Sequence, residues 1–126
     1  MTVYLNRLFR WLFFVGLGVT ALASLTPLPF PPDFQHSDKV LHLLTYAGLC
    51  TIGAIGYTRF EQRIGLVLFL PMYGSFIEAL QELVPNRFGS LLDVLANTVG
   101  VAIAALAIWM WTKIRRGHRR PPEPRS

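Results

Sequence analysis

A single cysteine, Cys50, stands in an apolar run, so the chain can close no internal disulfide, and it has no Cys-rich spacing for a metal. Charge is scarce too. Only 15% of the 126 residues are charged, against 52% hydrophobic, a balance that does not suit a soluble domain of this length. The sequence has no Gly-rich phosphate loop, since Gly16 and Gly18 lie inside an apolar stretch. A G-x-S-x-G elbow and an H-x3-H pair are also missing. These absences argue against nucleotide-loop, hydrolase-elbow and ordinary zinc chemistry. His42 with several carboxylates could hold a divalent cation, but without H-x3-H or Cys-rich spacing no metal is expected, and no cofactor is. There is no internal repeat and no soluble domain.

What is present is apolar sequence in four pieces, with a mean hydropathy of +0.42. The fold class expected is an all-α membrane protein, a compact bundle of four transmembrane helices. The first span is expected over 8–26, ended by Pro27, Pro29, Pro31 and Pro32. A basic start, a short apolar core and Ala21-Leu22-Ala23 also fit a cleaved signal peptide, an alternative that leaves the orientation downstream unchanged. A proline-rich loop over 27–37 leads to a second span over 38–57, with Ser37 or Asp38 as its cap. Arg59, Glu61 and Arg63 form a charged connector. The third span, 64–84, contains Pro71, which predicts a kink. A tight turn over 85–90 leads to the fourth span, 91–112. Residues 1–112 thus form one domain, and the basic, proline-containing tail over 113–126 is expected to be disordered.

The net charge of +5 invites a nucleic-acid reading, but its distribution argues otherwise. Six of the twelve Lys and Arg residues fall in the last fourteen positions, and the others mostly flank apolar segments. With both termini cytoplasmic, ten lie inside (Arg7, Arg10, Arg59, Arg63, Lys113, Arg115, Arg116, Arg119, Arg120, Arg125) and two outside (Lys39, Arg87). That asymmetry is a topology signal, and no nucleic-acid partner is expected. Trp11, Trp109 and Trp111 fit an inner aromatic belt, and the tail is a candidate for contact with anionic lipid.

This topology collects the unusual polar residues on one side. Asp38, His42 and Tyr46 recur at i, i+4, i+8, with Lys39 beside them. Gly74, Glu78, Gln81 and Glu82 share a face of the third span, and Asp93, Asn97 and Gly100 share one of the fourth. At 1.5 Å per residue, Glu78 and Asn97 lie roughly 9 Å from their helix ends, too deep for short side chains to snorkel. Ionisable groups at such depth cost roughly 2.5–3.5 kcal/mol each on insertion scales, so they are expected to face the bundle interior or a wet cavity. Ala96, Gly100 and Ala104, with Cys50 and Ala54 on the second span, form small-residue stripes suited to close helix approach.

The motifs D-K-V-L-H-x3-Y at Asp38 to Tyr46, E-x2-Q at Glu78 and Gln81, Arg87, and D-V-L-A-N-x2-G at Asp93 to Gly100 resemble the VanZ-like family. The resemblance covers about residues 8–112. It implies a small bacterial membrane protein with an envelope connection, the family's namesake being linked to teicoplanin resistance. It implies no particular reaction. It places Asp38, Lys39, His42, Glu78, Gln81, Arg87, Asp93 and Asn97 on the family's polar positions.

Three readings of the cluster stay open. In the first it is purely structural, its acids paired with Lys39, Arg87 and His42. In the second it acts at the outer leaflet on a lipid-linked, phosphate-containing envelope precursor. His42, Asp38, Glu78 and Asp93 are then the catalytic candidates, and Lys39, Gln81, Arg87, Asn97 and Tyr46 the ligand-binding ones. In the third it binds or transports a lipid head group or a proton. The expected location is the bacterial cytoplasmic membrane, multi-pass, with membrane lipid as partner and the oligomeric state left open.

Overall fold

The computed structural model describes residues 2–27, 35–85 and 88–117. It contains four α-helices and, among these residues, no strand: α1 Thr2–Leu25, α2 Gln35–Gly56, α3 Phe60–Gln81 and α4 Leu91–Gly117. Each is long and apolar enough to cross a membrane, so the chain is a multi-pass, all-α membrane protein.

The helix bounds differ from the sequence expectation at both ends. α2 begins at Gln35, so Ser37 and Asp38 lie within its first turn instead of capping it. Asp38 still complements the positive helix N-terminus there. α3 begins at Phe60, ahead of the expected 64, and ends at Gln81 instead of 84. It runs through Pro71, whose carbonyl also accepts the Ser75 hydroxyl. α4 continues past Thr112 to Gly117, with Arg115 and Arg116 in its last turn, where cations suit the helix C-terminus. That stretch therefore belongs to a helix, and only 118–126 of the expected tail lie outside the described residues.

α1 packs on α2 and α3, α4 packs on the same two, and α1 and α4 do not touch. The most extensive contact joins α2 to α4. Around the bundle the order is therefore α1, α2, α4, α3. One end gathers the start of α1, the end of α2, the start of α3 and the end of α4. Arg10 and Arg63 mark it. Arg10 Nε donates to Gly56 O at 2.9 Å, while Arg63 donates to Tyr57 O at 3.1 Å and Ala54 O at 3.0 Å. The last carbonyls of α2 have no partners within their own helix, and these guanidinium groups supply donors where cations are also favoured.

Phe13, Leu17, Tyr46, Leu49, Cys50, Leu66, Leu70 and Val101 build the core. Large apolar residues elsewhere, such as Leu22, Met72, Phe76 and Leu106, point outward, as a lipid-facing surface requires. Lipid tails are as apolar as leucine, so close packing and interhelical hydrogen bonds must hold the helices together. Gly100 shows how this is done. A Cβ there would collide with the backbone carbonyl of Leu43, so α2 and α4 meet backbone to backbone. Buried Ala104, Cys50 and Ala54 extend the small-residue contact foreseen from the sequence.

Candidate functional site

At the opposite end of the bundle, the start of α2, the end of α3 and the start of α4 converge on one polar cluster. His42 is its centre. Its Nδ1 lies 3.0 Å from Asn97 Oδ1 and 3.6 Å from Glu78 Oε1, while Nε2 lies 3.7 Å from Asp38 Oδ1. Lys39 Nζ stands 3.6 Å from Asp93 Oδ1. With Asn97 Oδ1 as the acceptor, Nδ1 is the donor of that pair, and Nε2 is the ring nitrogen that faces Asp38.

Local sequence fixes these positions in depth. Asp38 and His42 are one turn apart on α2, so the ring reaches back toward the carboxylate one turn nearer the helix start. Glu78 is held from the other side by the turn between α3 and α4, where Ser90 N–H donates to Glu78 Oε2 at 3.2 Å. Gly89 permits that fold-back, because a Cβ at this position would lie 2.5 Å from Glu78 O. Ser90 then starts α4, its carbonyl accepting from Asp93 and Val94 N–H. Gly74 opens the space for Asn97, since an added Cβ would come within 2.8 Å of Asn97 Nδ2 and 3.1 Å of the Tyr46 ring.

Burial is graded along the cluster. The Asp38 side chain is 40% exposed, that of His42 12%, while Glu78, Asp93 and Asn97 are 4%, 5% and 1% exposed as residues. The deep residues thus face inward, as their depth in the spans required. Three of their atoms, Glu78 Oε1, Asp93 Oδ1 and Asn97 Nδ2, have no hydrogen-bond partner among the described residues. Asp38, Glu78 and Asp93 also outnumber Lys39 and His42, so the described cluster is acid-rich. One ligand atom each from Asp38, His42 and Asp93 lies within 4.8 Å of the others, a spacing a cation can bridge. The Lys39 ammonium already stands against the same Asp93 oxygen.

Not every candidate joins the cluster. Gln81 is buried but turns to α1, where its Nε2 donates to Ser24 O at 2.9 Å and fastens α3 to the end of that helix. Glu82 is exposed just past the end of α3. Tyr46, 1% exposed, packs into the core with its ring beside Gly74. Tyr73 donates its hydroxyl to Leu17 O at 2.7 Å, a packing role. Arg87 lies outside the described residues, as do the side chain of His36 and all of His118. Sequence reasoning did not find the Ser90 N–H or the Ser24 carbonyl. Backbone groups carry no residue signature, and Gly89 in the turn was the only available cue to the first.

The model of the VanZ/LLP1 family matches residues 2–112. No curated protein matches the chain, and no solved structure does.

Proposed function

This chain belongs to the VanZ/LLP1 family, and from that premise we propose that it serves the bacterial cell envelope from the cytoplasmic membrane. Its polar cluster receives the head group of a lipid-linked, phosphate-containing precursor at the outer leaflet. The placement follows from charge: ten of twelve Lys and Arg residues lie inside when both termini are cytoplasmic. The polar end of the bundle then faces outward.

One observation carries the reading: among the described residues, three polar atoms on residues at most 5% exposed have no hydrogen-bond partner, two of them meeting Lys39 and His42 as ion pairs at 3.6 Å. A buried polar atom left wholly unpaired costs about 1–3 kcal/mol. A cluster whose only task was to join helices would gain by pairing such atoms or by being apolar. Two of the three atoms are carboxylate oxygens, which ask for donors. Hydroxyl, amide and amine groups of a sugar–peptide head group supply these. Lys39 at the rim suits the phosphate. His42 Nε2, on the Asp38 side of the ring, is the acid–base group offered to the bound head group.

The test is binding of a lipid-linked diphosphate–sugar precursor to the protein in nanodiscs, with phosphatidylglycerol as comparator. Glu78→Gln and Asp93→Asn are expected to abolish precursor binding while the folded amount stays near that of the parent. In cells expressing the protein, any change in teicoplanin susceptibility should be lost with the same substitutions. Binding that persists in both variants, or susceptibility that merely tracks protein abundance, defeats the reading.

A further inference from the structure

The end of the bundle away from the cluster carries a second feature. At the polar end α3 and α4 are held together, Gly74 lying against Asn97. Between the first half of α3 and the last half of α4, over a floor from α2, lies a groove of about 890 Å³. That is within the usual size of small-molecule sites, roughly 300–1,000 Å³. Its deep part is apolar, with Cys50, Leu66 and Ala105 among its walls. Its outer part carries Arg63, Lys113 and Arg116, and no acidic residue among the described residues lines it. A smaller groove of about 650 Å³ shares Arg63 and Arg116 and adds Arg115, again with no acid among the described residues.

We propose that this groove binds an anionic phospholipid, its phosphate held by Arg63, Lys113 and Arg116 and one acyl chain laid along the cleft between α3 and α4. The site is distinct from the polar cluster and does not depend on its function. Two features point to a lipid as occupant. First, the groove has the polarity gradient of a lipid: Ala105 and Arg116 are eleven residues apart on one helix, roughly 16 Å from apolar wall to cation. A soluble anion would leave the apolar part unfilled. Second, the rim is cationic with no balancing acid among the described residues, so a zwitterionic head group would leave it uncompensated.

The arginines are prepared for this. Arg63 uses two of its five N–H donors on the end of α2, which fixes the guanidinium in place and leaves the others for a phosphate. Lys113 lies over the Trp109 ring, 5.0 Å from its centroid, and Trp109 itself lines the groove. That tryptophan is therefore a reporter of what fills the cleft.

The experiment uses the full chain with Trp11→Phe and Trp111→Phe, both exposed positions, so that Trp109 is the sole tryptophan. It is reconstituted in phosphatidylcholine vesicles with a minor fraction of phosphatidylglycerol, bromine being placed on the chains of one lipid or the other. Quenching of Trp109 by brominated phosphatidylglycerol is expected to exceed its bulk mole fraction several-fold. Adding Lys113→Gln and Arg116→Gln should return it to the bulk fraction with the unfolding temperature unchanged, because neither side chain caps a helix from another segment. Arg63 is left intact, since it caps α2. Quenching that follows mole fraction in the parent overturns the proposal, and so does enrichment that survives both substitutions. Trp109 shielded from both brominated lipids means that protein, such as a second copy of the chain, fills the groove, and that result also overturns it.

Discussion

Glu78 separates a cluster that holds the bundle together from one that serves a ligand. Its Oε2 accepts the Ser90 N–H at 3.2 Å, and its Oε1, with no hydrogen-bond partner among the described residues, lies 3.6 Å from the His42 ring. Glu78→Ala removes the acceptor for Ser90 and leaves a void among residues at most 5% exposed. A lost buried acceptor and a large-to-small change together amount to about 2–4 kcal/mol of destabilisation. Glu78→Gln keeps the shape and an oxygen for Ser90, and it replaces a buried carboxylate by a neutral amide that is cheaper to desolvate. Its stability should lie within about 1 kcal/mol of the parent, on either side. The measurement is equilibrium unfolding of the purified protein in mixed micelles, followed by helix content, alongside precursor binding. The expected pattern is stability lost in the alanine variant alone, and binding lost in both. If Glu78→Gln unfolds as readily as Glu78→Ala, the carboxylate is a structural tie and the ligand reading falls with it.

Gly100→Val should force α2 and α4 apart, because the Leu43 backbone cannot yield. A loss of at least about 1–3 kcal/mol is expected in the same unfolding assay, and the His42–Asn97 bond one turn away should lengthen with it. Gly18→Ala, which meets nothing within 4 Å, should be neutral or slightly stabilising, and a loss like that of Gly100→Val would show that helix contacts extend beyond those seen here. Arg63→Ala should cost about 1.5–3 kcal/mol through two lost charge-assisted bonds, to Ala54 in α2 and to Tyr57 just past it, and Arg63→Lys should recover only part of that, since an ammonium lacks the planar fork; full recovery would mean charge alone suffices. Cysteine placed after Pro32 in a Cys50→Ala background should label from outside intact cells and cysteine after Ser126 should not; outside labelling at 126 would reverse the orientation and move the cluster to the inner face.

Some of this architecture could be read from the residues, and some could not. Apolar runs of span length and the prolines and charges between them define four helices, because in hydrocarbon every backbone group must be bonded within its own helix. Helix ends were less legible. α4 runs on to Gly117 because basic residues are favourable in a last turn, so the start of the basic tail did not mark the end of the helix. The i, i+4 spacing of Asp38 and His42 held up as a shared face. The spacing of Glu78 and Gln81 misled. Three residues along a helix is a rotation of about 300°, which leaves the two side chains about 60° apart. In a bundle that small angle is the difference between neighbours: Glu78 meets α2, and Gln81 meets α1.

By itself, then, the sequence determined the membrane class, the four spans, the two chemically distinct ends and the depth of each polar residue. These depend on hydropathy and rise per residue, which are local. Tertiary structure alone decided which helices are neighbours. α2 and α4 run parallel, lie far apart in the chain and have no short link between them, yet they form the largest contact because Gly100 lets the Leu43 backbone approach. That contact brings His42 to Asn97, and the fold-back at Gly89 and Ser90 brings Glu78 to both. Convergence of the cluster is a property of shape fit between helices, and no periodicity along one helix encodes it.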